Sequence, residues 1–149
     1  EVAEHLKIES ANSLIESLVR HSDFVFFSAA IPGQGGQNHL NEQWPIYWVN
    51  KFQDFGYKVS DFIRPQIWEN SDLDFWYKQN SLLFFNSKSV LSFDIYSNTI
   101  LQIIHPDLFL LKVEKIEELK RYNQSILDLE MPLKFYLSLL KKKIHSWFQ

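Results

Sequence analysis

Two short and unbroken apolar runs constrain the fold of this chain more than any other feature. The first is Phe-Val-Phe-Phe at residues 24–27, and the second is Leu-Leu-Phe-Phe at residues 82–85. Runs of this kind are typical of strands that are covered on both faces, as in a parallel sheet. Residues 57–63 alternate only in part between apolar and polar side chains, which indicates a strand nearer the edge of the sheet.

Helical patterns separate these strands. Residues 10–20 carry apolar side chains at helical spacing, with Ser10 or Asn12 as the candidate N-terminal cap. A second helix is predicted over residues 45–55, and Gly56 follows it where a left-handed C-terminal cap is expected. The order helix, strand, helix, strand, strand predicts the tail of an α/β sheet.

The pattern changes in the C-terminal part of the chain. Helices are predicted over residues 107–127 and 133–148, whereas residues 100–104 fit either a strand or a helix. We therefore expect an α/β domain at residues 1–87 and a mainly helical extension at residues 88–149. The apolar positions of the last helix have ordinary core spacing, so we interpret them as a packing face rather than as a membrane-surface element.

The composition argues against several classes of protein. The chain has 149 residues, a formal net charge of −3 and no cysteine. A nearly balanced charge is unlike that of a general nucleic-acid binder, and without cysteine there is neither a disulfide nor a thiolate metal site. No apolar run approaches the roughly 20 residues of a membrane span, and no signal peptide is recognisable. We expect a cytoplasmic protein that binds no nucleic acid and does not span a membrane.

The first segment with chemical potential is Glu-Val-Ala-Glu-His at residues 1–5. Two carboxylates and an imidazole at this spacing can ligate a metal or serve as acid and base. In a helical turn, Glu1 and His5 would share a face. By spacing alone, the favoured alternative is a solvated helix start, in which the glutamates interact with the helix dipole.

The second segment, residues 28–45, follows the first apolar run at its expected carboxyl end, where open α/β sheets bind ligands. It contains Pro-Gly-Gln-Gly-Gly and then a dense set of polar side chains: Gln37, Asn38, His39, Asn41, Glu42 and Gln43. These groups suit hydrogen bonding to a polyhydroxylated or amide-bearing ligand. No Gly-Lys-Ser/Thr follows, so this is not a phosphate loop. The equally weighted alternative is a turn with Asn41 or Glu42 capping the next helix.

The third segment is rich in aromatic residues. Arg64 ends the predicted strand at 57–63 and is a candidate for binding a carboxylate or a phosphate. Trp68, Trp76 and Tyr77 have the shape to stack on a ligand, although aromatic residues at this density more often form a core. We interpret His105, which precedes a proline, as structural.

A resemblance to a known family begins at residues 1–6, which read Glu-Val-x-Glu-His-Leu. This segment resembles the one that closes the fourth strand of class I, Rossmann-like S-adenosylmethionine-dependent methyltransferases. Two further segments resemble a subgroup of bacterial methyltransferases: Phe-Ser-Ala-Ala-Ile-Pro-Gly-Gln-Gly-Gly from residue 27 and Asn-His-x-Asn-Glu-Gln-Trp-Pro-x-Tyr-Trp from residue 38. Arg-Pro-x-Ile-Trp from residue 64 and Trp-Tyr-x-Gln-Asn from residue 76 continue the match, which covers roughly residues 1–87.

The resemblance implies strands five to seven of the methyltransferase sheet, followed by a helical tail. In the family, the seventh strand runs antiparallel between the fifth and the sixth. The glycine-rich donor loop and the acidic residue that holds the ribose lie upstream in the family, and no Gly-x-Gly-x-Gly occurs in this sequence. We therefore expect residues 1–87 to be the acceptor-side half of a methyltransferase domain, incomplete and inactive alone. Missing N-terminal strands or an oligomeric partner would cover the exposed sheet edge.

The implied activity is methyl transfer from S-adenosylmethionine to an oxygen or nitrogen of a small-molecule or sugar-like acceptor. His39 and His5 are the candidate bases, and Glu42 or Glu4 is their orienting partner. By resemblance, Glu1 and Glu4 contact the donor. The remaining candidates bind the acceptor: Asn38, Gln43, Trp44 and Arg64.

Two alternatives remain open from the sequence. The expected mechanism uses no metal, but a metal-assisted version with Glu1, Glu4, His5 and His39 is the competing mechanism. The competing function is a non-catalytic module derived from the same fold. Its polar loop and aromatic residues would bind a glycan or a partner protein without chemistry.

Overall fold

The structure is a computed structural model that describes residues 1–88 and 102–147. The chain divides into two compact units, Glu1–Leu108 and Phe109–Gln149. Of the predicted element at 100–104, residues 100 and 101 lie outside the described residues, and residues 102–104 form neither strand nor helix.

The described parts of the first unit, residues 1–88 and 102–108, contain short helices and three strands. Two single-turn 3-10 helices, Ala3–His5 and Ile8–Ser10, come before the first longer element. The others are α1 (Ala11–His21), β1 (Phe24–Phe27), α2 (Pro45–Asp54), β2 (Tyr57–Ser60), α3 (Arg64–Ile67), α4 (Phe75–Asn80) and β3 (Leu82–Asn86). The predicted helices at 10–20 and 45–55 and the three predicted strands are confirmed.

The three strands form a mixed α/β unit with a small antiparallel sheet of order β1-β3-β2. Because β3 runs antiparallel to both neighbours, β1 and β2 point in the same direction. The prediction that residues 24–27 are covered on both faces, as in a parallel sheet, is wrong. Phe24 and Phe26 are exposed while Val25 and Phe27 are buried, so this edge strand alternates like an antiparallel one.

One face of the sheet carries an aromatic core. Phe52 from α2 stacks on Phe84 of β3, with ring centroids 3.9 Å apart, and the Phe27 ring packs edge-on against both. Such ring pairs contribute about 0.5–1.5 kcal/mol beyond the buried area. The core continues through Ile15 of α1 and Trp48 of α2. The apolar periodicity of both helices therefore fixes them against the sheet.

A glycine in the left-handed conformation ends α2, and a tyrosine hydroxyl fixes the position of β2 beside the end of α1. Gly56 has φ +77°, the left-handed conformation expected after α2. The hydroxyl of Tyr57 donates to the backbone oxygens of Ser22 (2.6 Å) and Val19 (3.1 Å), which ties β2 to the end of α1. Ser10 precedes α1, but its side chain makes no capping hydrogen bond.

The second unit consists largely of two helices, α5 (Pro106–Leu127, which begins in the first unit) and α6 (Leu133–Trp147), as predicted. The hydroxyl of Tyr136 donates to the backbone oxygen of Ile126 and so braces the turn between them. The expected packing of the apolar positions of α6 is wrong for the described side chains, because Leu133, Leu137, Leu140 and Ile144 are all exposed. None of the described helices combines the length and apolarity needed to cross a bilayer.

Candidate functional site

Buried polar side chains gather at one end of the sheet. Ser28 follows β1 and Asp61 follows β2, whereas Asn80 and Ser81 directly precede β3. Because β3 runs opposite to its neighbours, its start lies beside the carboxyl ends of β1 and β2. Ligands bind at the carboxyl ends of strands in open α/β sheets, so this end is the candidate site.

Glu1 is held at this end by side chains from two other segments. Its Oε1 accepts hydrogen bonds from the Ser28 hydroxyl (2.6 Å) and the Asn80 amide (2.9 Å), and its Oε2 accepts one from Gln34 (3.3 Å). Burial alone would raise the pKa of the Glu1 carboxyl. The hydrogen bonds from Asn80 and Ser28 outweigh this effect and hold the pKa below its usual range.

Three amide side chains extend this network into the interior. Asn80 donates to the Gln34 Oε1 (2.8 Å), and Gln79 donates to the Asn80 Oδ1 (2.9 Å). The Gln79 Oε1 in turn accepts from the backbone N–H of His105 (2.8 Å). The sequence analysis assigned no role to these amides. Their position beside an apolar strand was the available signal, because buried amides need partners.

Glu4 occupies a different environment from Glu1. Its side chain is buried, and its carboxyl group interacts with that of Glu1; among the described residues no other side chain hydrogen-bonds to it. Burial, reinforced by the nearby Glu1 charge, raises the pKa of the Glu4 carboxyl. Its backbone oxygen accepts from the N–H groups of Leu40 (2.7 Å) and Asn41 (3.0 Å), which fixes the polar loop against it. A buried carboxyl with so few partners is costly to ionise, which makes Glu4 a candidate for binding a cationic ligand.

Glu42 organises the polar loop and orients His39. Its Oε2 accepts from the Gly33 N–H (2.7 Å), and its Oε1 accepts from the Gly35 N–H (3.0 Å) and lies 2.8 Å from the His39 Nδ1. Burial opposes ionisation of Glu42, but the hydrogen bonds to His39 and the two glycines lower its pKa. Glu42 therefore stabilises the loop to which it belongs. The alternative that it caps α2 is not realised, because α2 has no side-chain cap.

The two histidines meet in front of Glu4. The rings of His5 and His39 are edge-on with centroids 4.9 Å apart, and the His5 Nε2 lies 4.0 Å from a Glu4 oxygen. One potential ligand atom from each of Glu4, His5 and His39 lies within 4.8 Å of the others. Gly36 borders this group, because a Cβ added there would stand 2.3 Å from the His39 Nε2. The structure thus assembles the expected catalytic residues into one cluster.

The expected acceptor-binding residues are placed less closely together. Asn38 is exposed in a left-handed conformation (φ +59°), and Trp44 is 37 % exposed. Gln43 donates to the Asn41 Oδ1 (2.9 Å). These side chains line the outer part of the loop, where they remain accessible to a ligand.

Arg64 corrects one prediction, because it begins α3 instead of ending a strand. Its side chain is buried and forms a two-pronged ion pair with Asp61 (2.6 and 2.7 Å), and it donates to the backbone oxygen of Gln79 (3.2 Å). This arrangement braces the junction between β2 and α4. Its contact with Gln79 connects it to the same amide network that reaches Glu1.

Two open clefts lie elsewhere on the first unit. One, of about 420 Å³, is lined by Arg64, Trp68 and Ile104, and the other, of about 560 Å³, by Trp68, Lys78 and His105 among others. The rings of Trp68 and His105 pack together with centroids 4.5 Å apart, which agrees with a structural role for His105. Neither of these two clefts is lined by His5 or His39. The concentration of ionisable groups, and not cleft size, therefore marks the candidate site.

No protein-family model, no curated protein and no solved structure matches this chain. Function must therefore be inferred from the cluster itself. Its distinguishing features are an uncompensated buried carboxylate, an imidazole held by a second carboxylate, and another imidazole at an accessible position.

Proposed function

We propose that this chain forms the acceptor side of an S-adenosylmethionine-dependent methyltransferase that methylates an oxygen or nitrogen of a small-molecule or sugar-like acceptor. The observation that carries the proposal is the cluster of Glu4, His5 and His39 at the carboxyl end of β1. Polar groups at that end suit a ligand-binding site of an open α/β sheet.

The strand order gives independent support. The resemblance to class I methyltransferases implies a last strand that runs antiparallel between the two before it, and the order β1-β3-β2 has this arrangement. Helix α2 connects β1 with β2, as the crossover between two strands of the same direction requires. A three-stranded sheet of this order occurs in other settings, so the chemistry rests on the cluster.

The cluster suits proton removal from an acceptor hydroxyl. The donor supplies an electrophilic methyl group; as the acceptor oxygen forms its new bond to that carbon, the carbon–sulfur bond breaks. The hydroxyl proton passes to the Nε2 of His39, whose Nδ1–H is held by Glu42. Glu4, with two unpartnered oxygens, fits a cationic group such as the sulfonium donor. Glu1 already accepts hydrogen bonds at both oxygens, and we assign it to positioning.

Donor binding provides the first test. The sequence contains no Gly-x-Gly-x-Gly donor loop, so we expect residues 1–149 alone to bind S-adenosylmethionine weakly or not at all in calorimetry. The same residues joined to an upstream glycine-rich segment should bind it. Tight binding by the 149-residue chain alone would contradict the division into donor and acceptor sides.

Replacing His39 by Ala in the protein that includes the donor-binding segments should lower turnover by about 10²–10⁴-fold, because the acceptor loses its base. Donor affinity should change little. His21→Ala is the matched control, since His21 is an exposed histidine on α1. Unchanged turnover in His39→Ala would overturn the role of His39, and donor binding without any methyl transfer would favour a non-catalytic binding module.

The exposed edge of the sheet leads to a prediction about association. Strand β1 is one of the two edges of the described sheet, and Phe26 is 57 % exposed on it. Because long apolar edges pair with other chains, we expect residues 1–149 to self-associate and Phe26→Lys to reduce this in sedimentation experiments. The midpoint of thermal unfolding should hardly move, as for most surface substitutions. A wild-type chain that stays monomeric at high concentration would show that the edge needs no cover.

A further inference from the structure

Glu4 is the side chain in this fold that most requires a partner. It is completely buried, and apart from its interaction with the Glu1 carboxyl, none of the described side chains hydrogen-bonds to its carboxylate oxygens. Buried carboxylates are normally paired, hydrogen-bonded or bound to a metal. The neighbouring Glu1 carboxylate, in contrast, accepts hydrogen bonds from Ser28, Asn80 and Gln34. The contrast singles out Glu4 as a ligand whose partner is a cation.

The imidazoles of His5 and His39 lie where, together with Glu4, they can form a set of metal ligands. One ligand atom each from Glu4, His5 and His39 lies within 4.8 Å of the others. Donors on one ion, at bond lengths of about 2.1 Å, are at most about 4.2 Å apart, so a small closure suffices. The His5 side chain is 45 % exposed and can rotate to provide this closure.

The geometry points to a divalent transition-metal site formed by Glu4, His5 and His39. This inference replaces the metal-free expectation from the sequence, and it holds whether or not the protein transfers methyl groups. It rests on one buried carboxylate without partners and on two imidazoles that converge on it.

A second carboxylate supports the site from outside. Metal-binding imidazoles usually donate their other ring nitrogen to a carboxylate, which fixes the tautomer and the ring orientation. Glu42 has this relation to His39, with its Oε1 2.8 Å from the Nδ1, and the two glycine N–H groups hold Glu42 in place. The Nε2 of His39 is then the ligand. Glycine at position 36 keeps the edge of the ring that carries Nε2 uncrowded.

The donor set selects the class of cation. Imidazole nitrogen suits zinc, copper, iron and nickel, whereas magnesium, calcium and manganese suit carboxylate, carbonyl and water oxygens. With three protein ligands, coordination positions remain for water or for an oxygen of a substrate. If the methyltransferase proposal is also correct, a hydroxyl bound there would lose its proton more readily, and His39 would act as a ligand instead of a free base.

Direct titration of the 149-residue chain with Co²⁺ tests the site without any donor or acceptor. We expect saturation at one ion per chain, with absorption bands of histidine-bound cobalt and a higher midpoint of thermal unfolding. Glu4→Gln should abolish the bands and weaken binding by more than about tenfold. Glu42→Gln should weaken binding by about 10–100-fold, as expected for an outer partner of a metal ligand.

Two controls make the test decisive. His21→Ala removes an exposed histidine of α1 and should leave Co²⁺ affinity unchanged. Glu4→Gln should unfold at the same or a higher temperature than the metal-free wild type, because a neutral amide replaces an uncompensated buried carboxylate. Loss of binding in that variant would then reflect the lost ligand and not an unfolded chain.

Three results would overturn the inference. They are no saturable Co²⁺ binding by the wild type, binding that survives both Glu4→Gln and His39→Ala, and displacement of Co²⁺ by an equal concentration of Mg²⁺. None of these outcomes depends on methyl transfer, so failure of the metal site and failure of the proposed function are distinguishable. A confirmed metal site would reassign Glu4 from the sulfonium donor, and His39 from the acceptor proton, to the cation.

Discussion

Replacing Asn80 by Asp is expected to lower the free energy of unfolding at neutral pH by about 3–5 kcal/mol, the cost of an uncompensated buried charge. The Asn80 amide donates 2.9 Å to Glu1 and 2.8 Å to Gln34. Aspartate would remove both donors and place a second carboxylate beside Glu1. The Gln34 oxygen would lose its shortest hydrogen bond and keep only those from the Ile31 N–H and the Gln79 amide among the ones described (both 3.4 Å).

Chemical denaturation of Asn80→Asp and the wild type measures this loss, and Asn86→Asp is the matched control. Asn86 also donates to a carboxylate, that of Asp23 (3.0 Å), but on the exposed end of β3. We expect the control to lose less than about 1 kcal/mol, because solvent screens exposed charges. Equal losses in the two variants would show that the network beside Glu1 is not the buried, coupled unit described above.

The loss of unfolding free energy caused by Asn80→Asp should also depend on pH in a defined direction. Burial next to Glu1 would raise the pKa of the introduced carboxyl in the folded state above its unfolded value. A group of this kind contributes stability at low pH and loses it as the pH rises. Relative to the wild type at the same pH, the variant should therefore be least impaired in acid. A deficit that does not change with pH would argue for lost packing instead of charge.

Gly36→Ala is expected to lower turnover as strongly as His39→Ala, by about 10²–10⁴-fold, while costing less than about 1 kcal/mol of stability. The added Cβ would lie 2.3 Å from the Nε2 and 2.4 Å from the Cε1 of His39. The ring must move, since such contacts are far below van der Waals separation. Because a side chain and not the backbone gives way, the fold should survive, whereas the bond from the His39 Nδ1 to Glu42 should not.

Gly56→Ala is expected to have the opposite effects, a loss of stability with unchanged turnover. Gly56 has φ +77° and open space where its Cβ would be, so alanine strains the backbone without touching a neighbour. We expect a stability loss of about 1 kcal/mol and unchanged turnover. Under the proposed function, kinetics and thermal melting of both variants make the comparison, in a chain that pairs these residues with a donor-binding segment. A Gly36→Ala variant that keeps full turnover would contradict the position of His39.

Local patterns predicted most of the elements in the first unit. The helix after Ser10, the helix that begins at Pro45 and the left-handed Gly56 follow from apolar spacing, proline placement and cap chemistry, which act within a few residues. The loop at the carboxyl end of β1 was also predicted, because small and polar residues directly follow the strand. His5 and His39 were both predicted as candidate bases, but the sequence did not predict that their rings would lie against each other.

Predictions failed where distant parts of the chain decide the outcome. Phe24 and Phe26 look like core residues in sequence, but they are exposed because side chains alternate along β1 and the core covers only one of its two faces. Arg64 was expected to end a strand, but it begins α3, where its guanidinium pairs with Asp61. The amide network escaped notice because most of its contacts join residues 26 to 79 positions apart. No local pattern encodes such pairings.

Formation of S-adenosylhomocysteine is the most direct test of the central claim that this cluster transfers methyl groups. The protein that joins these residues to donor-binding segments would be incubated with S-adenosylmethionine and fractionated small-molecule acceptors, including sugars, and followed by mass spectrometry. We predict S-adenosylhomocysteine and a product bearing one added methyl group in equal amounts, and a rate at least about 10²-fold lower in His39→Ala. A donor that stays unconsumed, or is consumed equally fast by His39→Ala, would contradict the claim.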